Sequence, residues 1–210
     1  MKVCAFVGMC AVAAAAQADV IQLNAGVYQS GNGGEFTIIP QSGFAGLTGL
    51  PADLTSDSFQ SFCVENGENI VPGAFYNFAI NTGAIAGGVG GGGFDALDPR
   101  TAFLYYNFRM GTLSGFDYSP AGRQASAGLL QNAIWYIEGE PLGSFNSLVA
   151  LADAAVAPGG AWDGMGIGPV RVLNLSNDTT PLAQDQLTII PAPATALLLG
   201  AGLLVSRRRR

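Results

Sequence analysis

The feature that most limits how this chain can fold is a pair of apolar segments, one at each end. Residues 1–18 hold one cation, Lys2, then the apolar run from Val3 to Ala16 and the triplet Ala16-Gln17-Ala18. This pattern is typical of a secretory signal peptide, with Ala16 and Ala18 as the small residues of the cleavage site. We therefore expect the folded domain to begin at Asp19.

The C-terminal segment, residues 191–210, begins with Pro191-Ala192-Pro193 and continues with an apolar stretch over 194–205. Counted from Ile189, the apolar region has 17 residues, which is the short limit for a membrane-spanning helix at about 1.5 Å per residue. The sequence ends with four arginines, Arg207, Arg208, Arg209 and Arg210. Their positive charge would hold this end on the cytoplasmic side of the membrane. A single-pass tail anchor has the same parts.

The Pro-x-Pro element, the short apolar helix with Gly200 and Gly202, and the arginine cluster together resemble the PEP-CTERM sorting signal of exosortase-bearing Gram-negative bacteria. Ala192 stands where that signal usually has Glu. The resemblance implies an exported protein that the C-terminal helix holds briefly in the inner membrane. A sorting protease of the exosortase type would then act on it, and its destination would be the cell surface or the extracellular matrix.

The composition of residues 19–190 excludes several classes of protein. Hydrophobic residues make up 49% of the chain and charged residues 11%, so a disordered chain is excluded. Residues 19–190 carry four arginines against fifteen acidic residues, a net charge of −11, which opposes binding to nucleic acid. The chain has no His, which excludes Ser-His-Asp and Cys-His nucleophiles and the common zinc sites. We predict no metal and no cofactor.

The order of predicted elements indicates an α+β domain. Residue patterns predict strands over 20–29, 35–39, 59–66, 75–81, 169–175 and 186–190, and helices over 100–110, 124–137 and 144–156. The helices stand between two groups of strands. The sequence therefore predicts an antiparallel β sandwich or barrel-like sheet with an inserted helical subdomain, and a surface loop at the glycine run 87–93.

Cys63 is the only cysteine left in the domain once the signal peptide is removed. An unpaired thiol in an oxidising compartment has three explanations: an inert buried side chain, an intermolecular disulfide, or a thiol capped by another group of the same chain. Alternation along the predicted strand places Phe62 and Val64 on one face and Cys63 with Glu65 on the other. That pattern leaves all three explanations open.

Two short motifs bear on the third explanation. Phe62-Cys63-Val64-Glu65 resembles the first motif of bacterial surface thioester domains, and Gln131-Asn132-Ala133-Ile134-Trp135 resembles the second. The resemblance implies an internal thioester in which Cys63 supplies the sulfur and Gln131 the acyl group, with loss of ammonia. Leu130 stands where the second motif usually has Thr, and the spacing of 68 positions is shorter than is usual in that family.

A thioester needs protection from water and an acceptor for the thiol proton. Phe62, Ile134 and Trp135 would supply an apolar wall, since Trp135 follows Gln131 by one helical turn. Glu65 is the nearest carboxylate in sequence to accept the proton. Residues 19–190 contain no Lys, so neighbouring copies would offer no lysine side chain to open the bond.

These observations lead to two expectations for function, neither of them enzymatic. The first is an exported surface or matrix protein that is a covalent adhesin, with a Cys63–Gln131 thioester that reacts with amine-bearing molecules. The second is a passive structural or biofilm protein with a buried free cysteine. Glu138 and Glu140 are a possible acid and base pair, but neighbouring carboxylates at a helix end are usually a solvated cap.

Overall fold

A computed structural model of the protein describes residues 19–42, 44, 46–85 and 93–190. The predicted signal peptide with Ala16 and Ala18, most of the glycine run, and the predicted sorting signal from Pro191 and Pro193 to the arginine cluster lie outside these residues. Within the described part of the chain, none of the helices has the length and apolar character that crossing a membrane requires.

The predicted strands and helices occur in the predicted order, and two short strands that the sequence did not predict, Gly83–Ile85 and Phe94–Ala96, come before the first helix. The strands before the helices are β1 (Val20–Ala25), β2 (Phe36–Ser42), β3 (Phe59–Ser61), β4 (Phe75–Asn81), β5 (Gly83–Ile85) and β6 (Phe94–Ala96). The helices are α1 (Pro99–Arg109), α2 (Arg123–Ile137) and α3 (Ser147–Val156), and strands β7 (Val170–Ser176) and β8 (Ala183–Ile189) follow them. The predicted α+β class with inserted helices is confirmed.

Six strands form one antiparallel sheet in the order β3-β2-β1-β4-β7-β8, and β5 pairs with β6 in a separate small sheet. The six-stranded sheet is not closed into a barrel. The residues that follow β3 nevertheless approach β8, since Leu187 N donates to Phe62 O and Val64 N donates to Asp185 O, both at 3.1 Å. This curvature brings Cys63 beside Gln186.

The chain segment around Cys63 separates two clusters of buried apolar side chains. Phe62 and Val64 belong to the cluster that packs against the helices. Cys63 belongs to the cluster formed mainly by β1, β2 and neighbouring strands, together with Trp135. The predicted alternation of these three residues between two faces is confirmed, because an extended chain directs successive side chains to opposite sides.

Five predicted element boundaries are wrong by three residues or more. Strand β2 ends at Ser42 instead of Ile39, and β8 begins at Ala183 instead of Gln186. Strand β1 ends at Ala25 instead of Gln29, and a Cβ on the next residue, Gly26, would lie 2.0 Å from the carbonyl oxygen of Glu35. Strand β3 ends at Ser61, before the isolated bridge at Cys63. Helix α3 begins later than predicted because the Asn146 side chain accepts from Leu148 N and caps it.

Two buried ion pairs fasten the helices to the strand region. Arg109 Nη2 lies 2.8 Å from Asp53 Oδ2, and Arg123 Nη2 lies 2.8 Å from Glu35 Oε1. The Arg123 guanidinium also lies over the Tyr28 ring, 5.0 Å from its centroid. Since Arg123 begins α2 and Glu35 precedes β2, the second pair holds the β1–β2 loop against α2.

We predict that Glu35→Ala lowers the free energy of unfolding by about 3–5 kcal/mol, because it leaves the Arg123 guanidinium buried without its carboxylate. Asp153→Ala is the matched control. It removes an ion pair to Arg100 whose side chains are 30% and 49% exposed, so its cost should be below about 1 kcal/mol. Urea denaturation of the two variants measures both values, and equal losses would contradict the prediction.

Candidate functional site

Cys63 and Gln131 lie in contact, although 68 positions separate them in the sequence. Cys63 follows β3 and Gln131 lies in the middle of α2. The Cys63 Sγ is 3.3 Å from the Gln131 Oε1. Both side chains are buried, with exposed fractions of 0% and 1%. The fold therefore brings the predicted sulfur and the predicted acyl group together in a site closed to solvent.

The Gln131 side-chain amide is held by backbone groups on both of its polar atoms. Its Oε1 accepts from Gly34 N at 2.8 Å and from Cys63 N at 3.1 Å. Its Nε2 donates to Cys63 O at 2.8 Å. Two N–H donors on one carbonyl oxygen polarise the amide, as the donors of an oxyanion hole do. The same bonds satisfy a polar group that would be costly to bury alone.

Gly33 and Gly34 complete the site. The sequence did not indicate this role, because residues 30–34 have the composition of an ordinary hairpin turn. A Cβ on Gly33 would lie 2.3 Å from the Gln131 Cγ and 3.0 Å from the Trp135 ring. A Cβ on Gly34 would lie 2.5 Å from Phe62 and 3.1 Å from the Gln131 Oε1. Only residues without a side chain allow the loop to approach α2 this closely.

The apolar residues predicted to shield the pair are all buried. Phe62 lies beside Gly34, and its ring meets the Phe108 ring edge to face at 5.0 Å between centroids. Trp135 is 4% exposed and shares the Cys63 cluster. Ile134 is fully buried but packs with Phe62 in the helical cluster. Phe62 and Trp135 therefore lie beside the two glycines that contact Gln131, and Ile134 belongs to the helical cluster.

Burial dominates the electrostatics of the thiol. It raises the pKa of Cys63 well above its ordinary value, and the charge of Glu65 raises it further. The backbone N–H groups of Cys63 and Gly34 and the Gln186 side chain lower the pKa in part. The thiol is therefore protonated at neutral pH, and any reaction at its sulfur must move that proton.

Glu65 belongs to a group of four carboxyls, with Glu68, Glu140 and Asp185. Burial, followed by the charges of Asp185 and Glu68, raises the pKa of Glu65 to about 9. Within the described residues no N–H or hydroxyl group of another residue donates to either Glu65 oxygen. The Glu65 carboxyl therefore keeps its proton at neutral pH. A neutral carboxylic acid cannot accept the thiol proton. The sequence had suggested Glu65 as this proton acceptor, and the raised pKa argues against that role.

The other two acids considered from the sequence lie elsewhere in the structure or have other partners. Glu138 Oε1 accepts from Asp98 N at 3.3 Å, at the start of α1. Glu140 Oε2 accepts from Asn66 N at 3.1 Å. Each of the two carboxylates thus binds a backbone N–H group of a different segment.

Two surface cavities border the site. One, of about 290 Å³, is lined by Gln131, Gly33 and Trp135 among others. The second, of about 310 Å³, is also lined by Trp135 and includes Glu68. Trp135 and the loop tip at Gly31 and Asn32 line both cavities, so the buried pair lies beneath a grooved surface.

No family model, curated protein or solved structure matches this chain. Among the described residues, no group of three or more Cys, Asp and Glu side chains is placed to hold a metal ion. The functional groups assembled at the pair are a thiol, a primary amide, two backbone N–H groups and a backbone carbonyl.

We predict that Gly33→Ala lowers the free energy of unfolding by about 1–3 kcal/mol, since the added methyl group overlaps the Gln131 side chain. Gly67→Ala is the matched control, because a Cβ there meets no atom within 4 Å. Urea denaturation distinguishes the two variants. A Gly33→Ala protein as stable as the Gly67→Ala protein would show that the loop does not pack on Gln131 as described.

We predict that stability falls as the pH rises from 4.5, the ordinary pKa of a glutamate, to about 9. The folded protein keeps the Glu65 proton in that range, whereas the unfolded chain releases it, so rising pH favours unfolding. Asp185, whose pKa burial raises to about 7, acts in the same direction up to that pH.

Glu65→Gln should therefore reduce the fall in stability between about 7 and about 9. Urea denaturation across this pH range measures the slope, and Asp57→Asn, at an exposed position, serves as the charge-matched control. An unchanged slope in Glu65→Gln would contradict the assignment of a neutral Glu65.

Proposed function

We propose that this protein is an exported covalent adhesin, in which Cys63 and Gln131 form an internal thioester that captures amine-bearing molecules. The observation that carries the proposal is the contact of 3.3 Å between the Cys63 Sγ and the Gln131 Oε1. The same oxygen is held by the N–H groups of Gly34 and Cys63. A nucleophile and a polarised acyl group thus lie next to each other in a dry site.

Formation of the bond needs no further reactant. The sulfur adds to the Gln131 Cδ, and the negative charge that develops on Oε1 is stabilised by the two N–H donors. The C–N bond then breaks, and the nitrogen leaves as ammonia with the thiol proton. Since the Cys63 carbonyl already accepts from the Gln131 Nε2, the leaving nitrogen is oriented before the reaction begins.

The thioester would persist until an amine reaches it. Burial of both partners keeps water away from the carbonyl carbon. The absence of Lys from residues 19–190 removes the amine that other copies of the protein would most readily supply. Attack by an external amine would form an amide on Gln131 and regenerate the Cys63 thiol, which leaves the target attached to α2.

The sequence of the two ends supports export as the setting for this chemistry. The segment over 1–18 would direct secretion, and the PEP-CTERM-like segment over 191–210 would hold the protein in the inner membrane through its short helix. An exosortase-type protease would then act on it. The protein would reach the cell surface or extracellular matrix, where amine-bearing partners are present, and it would bind no nucleic acid.

A passive surface protein is the second candidate. The observation that favours it is the complete burial of Cys63, since a small apolar thiol is a common core residue. In that case the Gln131 amide would serve only to join α2 to the strand region through its hydrogen bonds.

We predict that the purified protein is lighter than its sequence mass by one ammonia. Methylamine should then add its own mass to that product, because it opens the thioester and leaves a methylamide on Gln131. Intact-mass spectrometry before and after methylamine measures both changes.

The Cys63→Ala variant is the control and should show its full sequence mass under both conditions. A wild-type protein with its full mass, and a thiol that is alkylated only after denaturation, would overturn the adhesin proposal in favour of the passive protein.

A further inference from the structure

The cavity of about 310 Å³ beside Trp135 is lined mainly by primary amides among its polar side chains. Of its polar side chains, five are amides and one is a carboxyl: Gln29, Asn32, Asn66, Asn69, Gln184 and Glu68. Primary amides both donate and accept hydrogen bonds. Asn32 and Asn69 are exposed. Such a surface is suited to a ligand with many hydroxyl groups, because each hydroxyl both donates and accepts hydrogen bonds.

The charge of this cavity selects against ionic ligands. No Arg or Lys lines it, so phosphate and carboxylate groups find no cation there. Its one acid is Glu68, whose pKa is raised, chiefly by burial, as is the pKa of the neighbouring Glu65. The pair of glutamates therefore carries less negative charge than two free carboxylates, and the attraction for a polycation is correspondingly reduced.

The apolar part of the lining indicates that the ligand also has an apolar face. The cavity includes Trp135 and Leu142, which also line the neighbouring cavity of about 290 Å³ that contains Gln131. Both volumes are at the lower end of the range for small-molecule sites. A flat-sided ligand with polar edges would contact the apolar residues and the amides together.

We infer that this cavity is a subsite for a neutral polyhydroxylated ring, and that the amine captured at Gln131 is carried by an amino sugar. The inference rests on the proposed thioester. Hydroxyl groups of one ring would bind the amides of the polar cavity, while an amine of the same or the adjoining ring enters the cavity that contains Gln131.

The covalent step is a simple acyl transfer. The unprotonated amine of the sugar attacks the thioester carbonyl, the C–S bond breaks, and a C–N amide bond forms. The proton lost by the nitrogen passes to the Cys63 sulfur, which returns to a thiol. No oxidant or metal takes part.

The test compares the rates at which four amines open the bond in the purified protein, followed by intact mass at equal concentrations of unprotonated amine. The amines are a glucosamine disaccharide, cyclohexylamine, spermidine and methylamine. We expect the disaccharide to react about ten-fold faster than cyclohexylamine, which matches one or two additional hydrogen bonds of ordinary strength. Equal rates, or a preference for spermidine, would overturn the inference while the thioester itself stands.

Asn32→Ala and Asn69→Ala should lower the ratio of the disaccharide rate to the cyclohexylamine rate toward one. Gln41→Ala is the matched control, since Gln41 is exposed and lines neither cavity. Variants that keep the full ratio would overturn the subsite.

Non-covalent binding of the sugar can be measured without the thioester, so this experiment tests the subsite independently of the proposed function. The Cys63→Ala variant cannot form the thioester, and the N-acetylated disaccharide has no free amine. We expect saturation-transfer NMR to detect contact between the two, and Asn69→Ala in the same background to weaken it. Absence of contact would overturn the sugar subsite, whereas absence of the ammonia deficit in the wild type would overturn the thioester.

Discussion

The amide of Gln131 is the point at which three separate parts of the fold meet. It belongs to α2, its oxygen accepts from the β1–β2 loop at Gly34, and both of its polar atoms bind the backbone of Cys63 after β3. A buried primary amide is costly unless its donors and acceptors are satisfied. The positions of the loop, the helix and the curved end of the sheet are therefore coupled through one side chain.

The Arg123–Glu35 ion pair joins the same loop to the same helix, a few residues away from Gln131. Glu35 directly follows Gly34, and Arg123 lies two turns before Gln131 on α2. Gln124 adds a further bond to the loop through the carbonyl of Gln29. The loop is thus fastened to the helix on both sides of the two glycines, which explains how a segment without side chains holds a fixed position over the pair.

Local patterns predicted the element order, the α+β class and the alternation around Cys63, because each depends on neighbours in sequence. The two motifs also named the residues that the fold brings into contact. The role of Gly33 and Gly34 was not predictable, since it depends on which helix the loop meets. The neutral state of Glu65 was missed for a related reason: Asp185 and Glu68, which raise its pKa, are assembled only by the tertiary fold.

The proposed thioester places two opposing requirements on the site. A thioester survives only where water is excluded, yet a capture site must admit an amine. The two partners have different surroundings: the strand cluster encloses the sulfur, whereas Gln131 underlies a cavity bordered by Gly33 and Trp135. An amine that arrives from this side meets the acyl group first and the sulfur last, which is the order that acyl transfer requires. In the proposed reaction, a ligand held in the adjoining polar cavity would therefore lie beside the acyl group that its amine attacks.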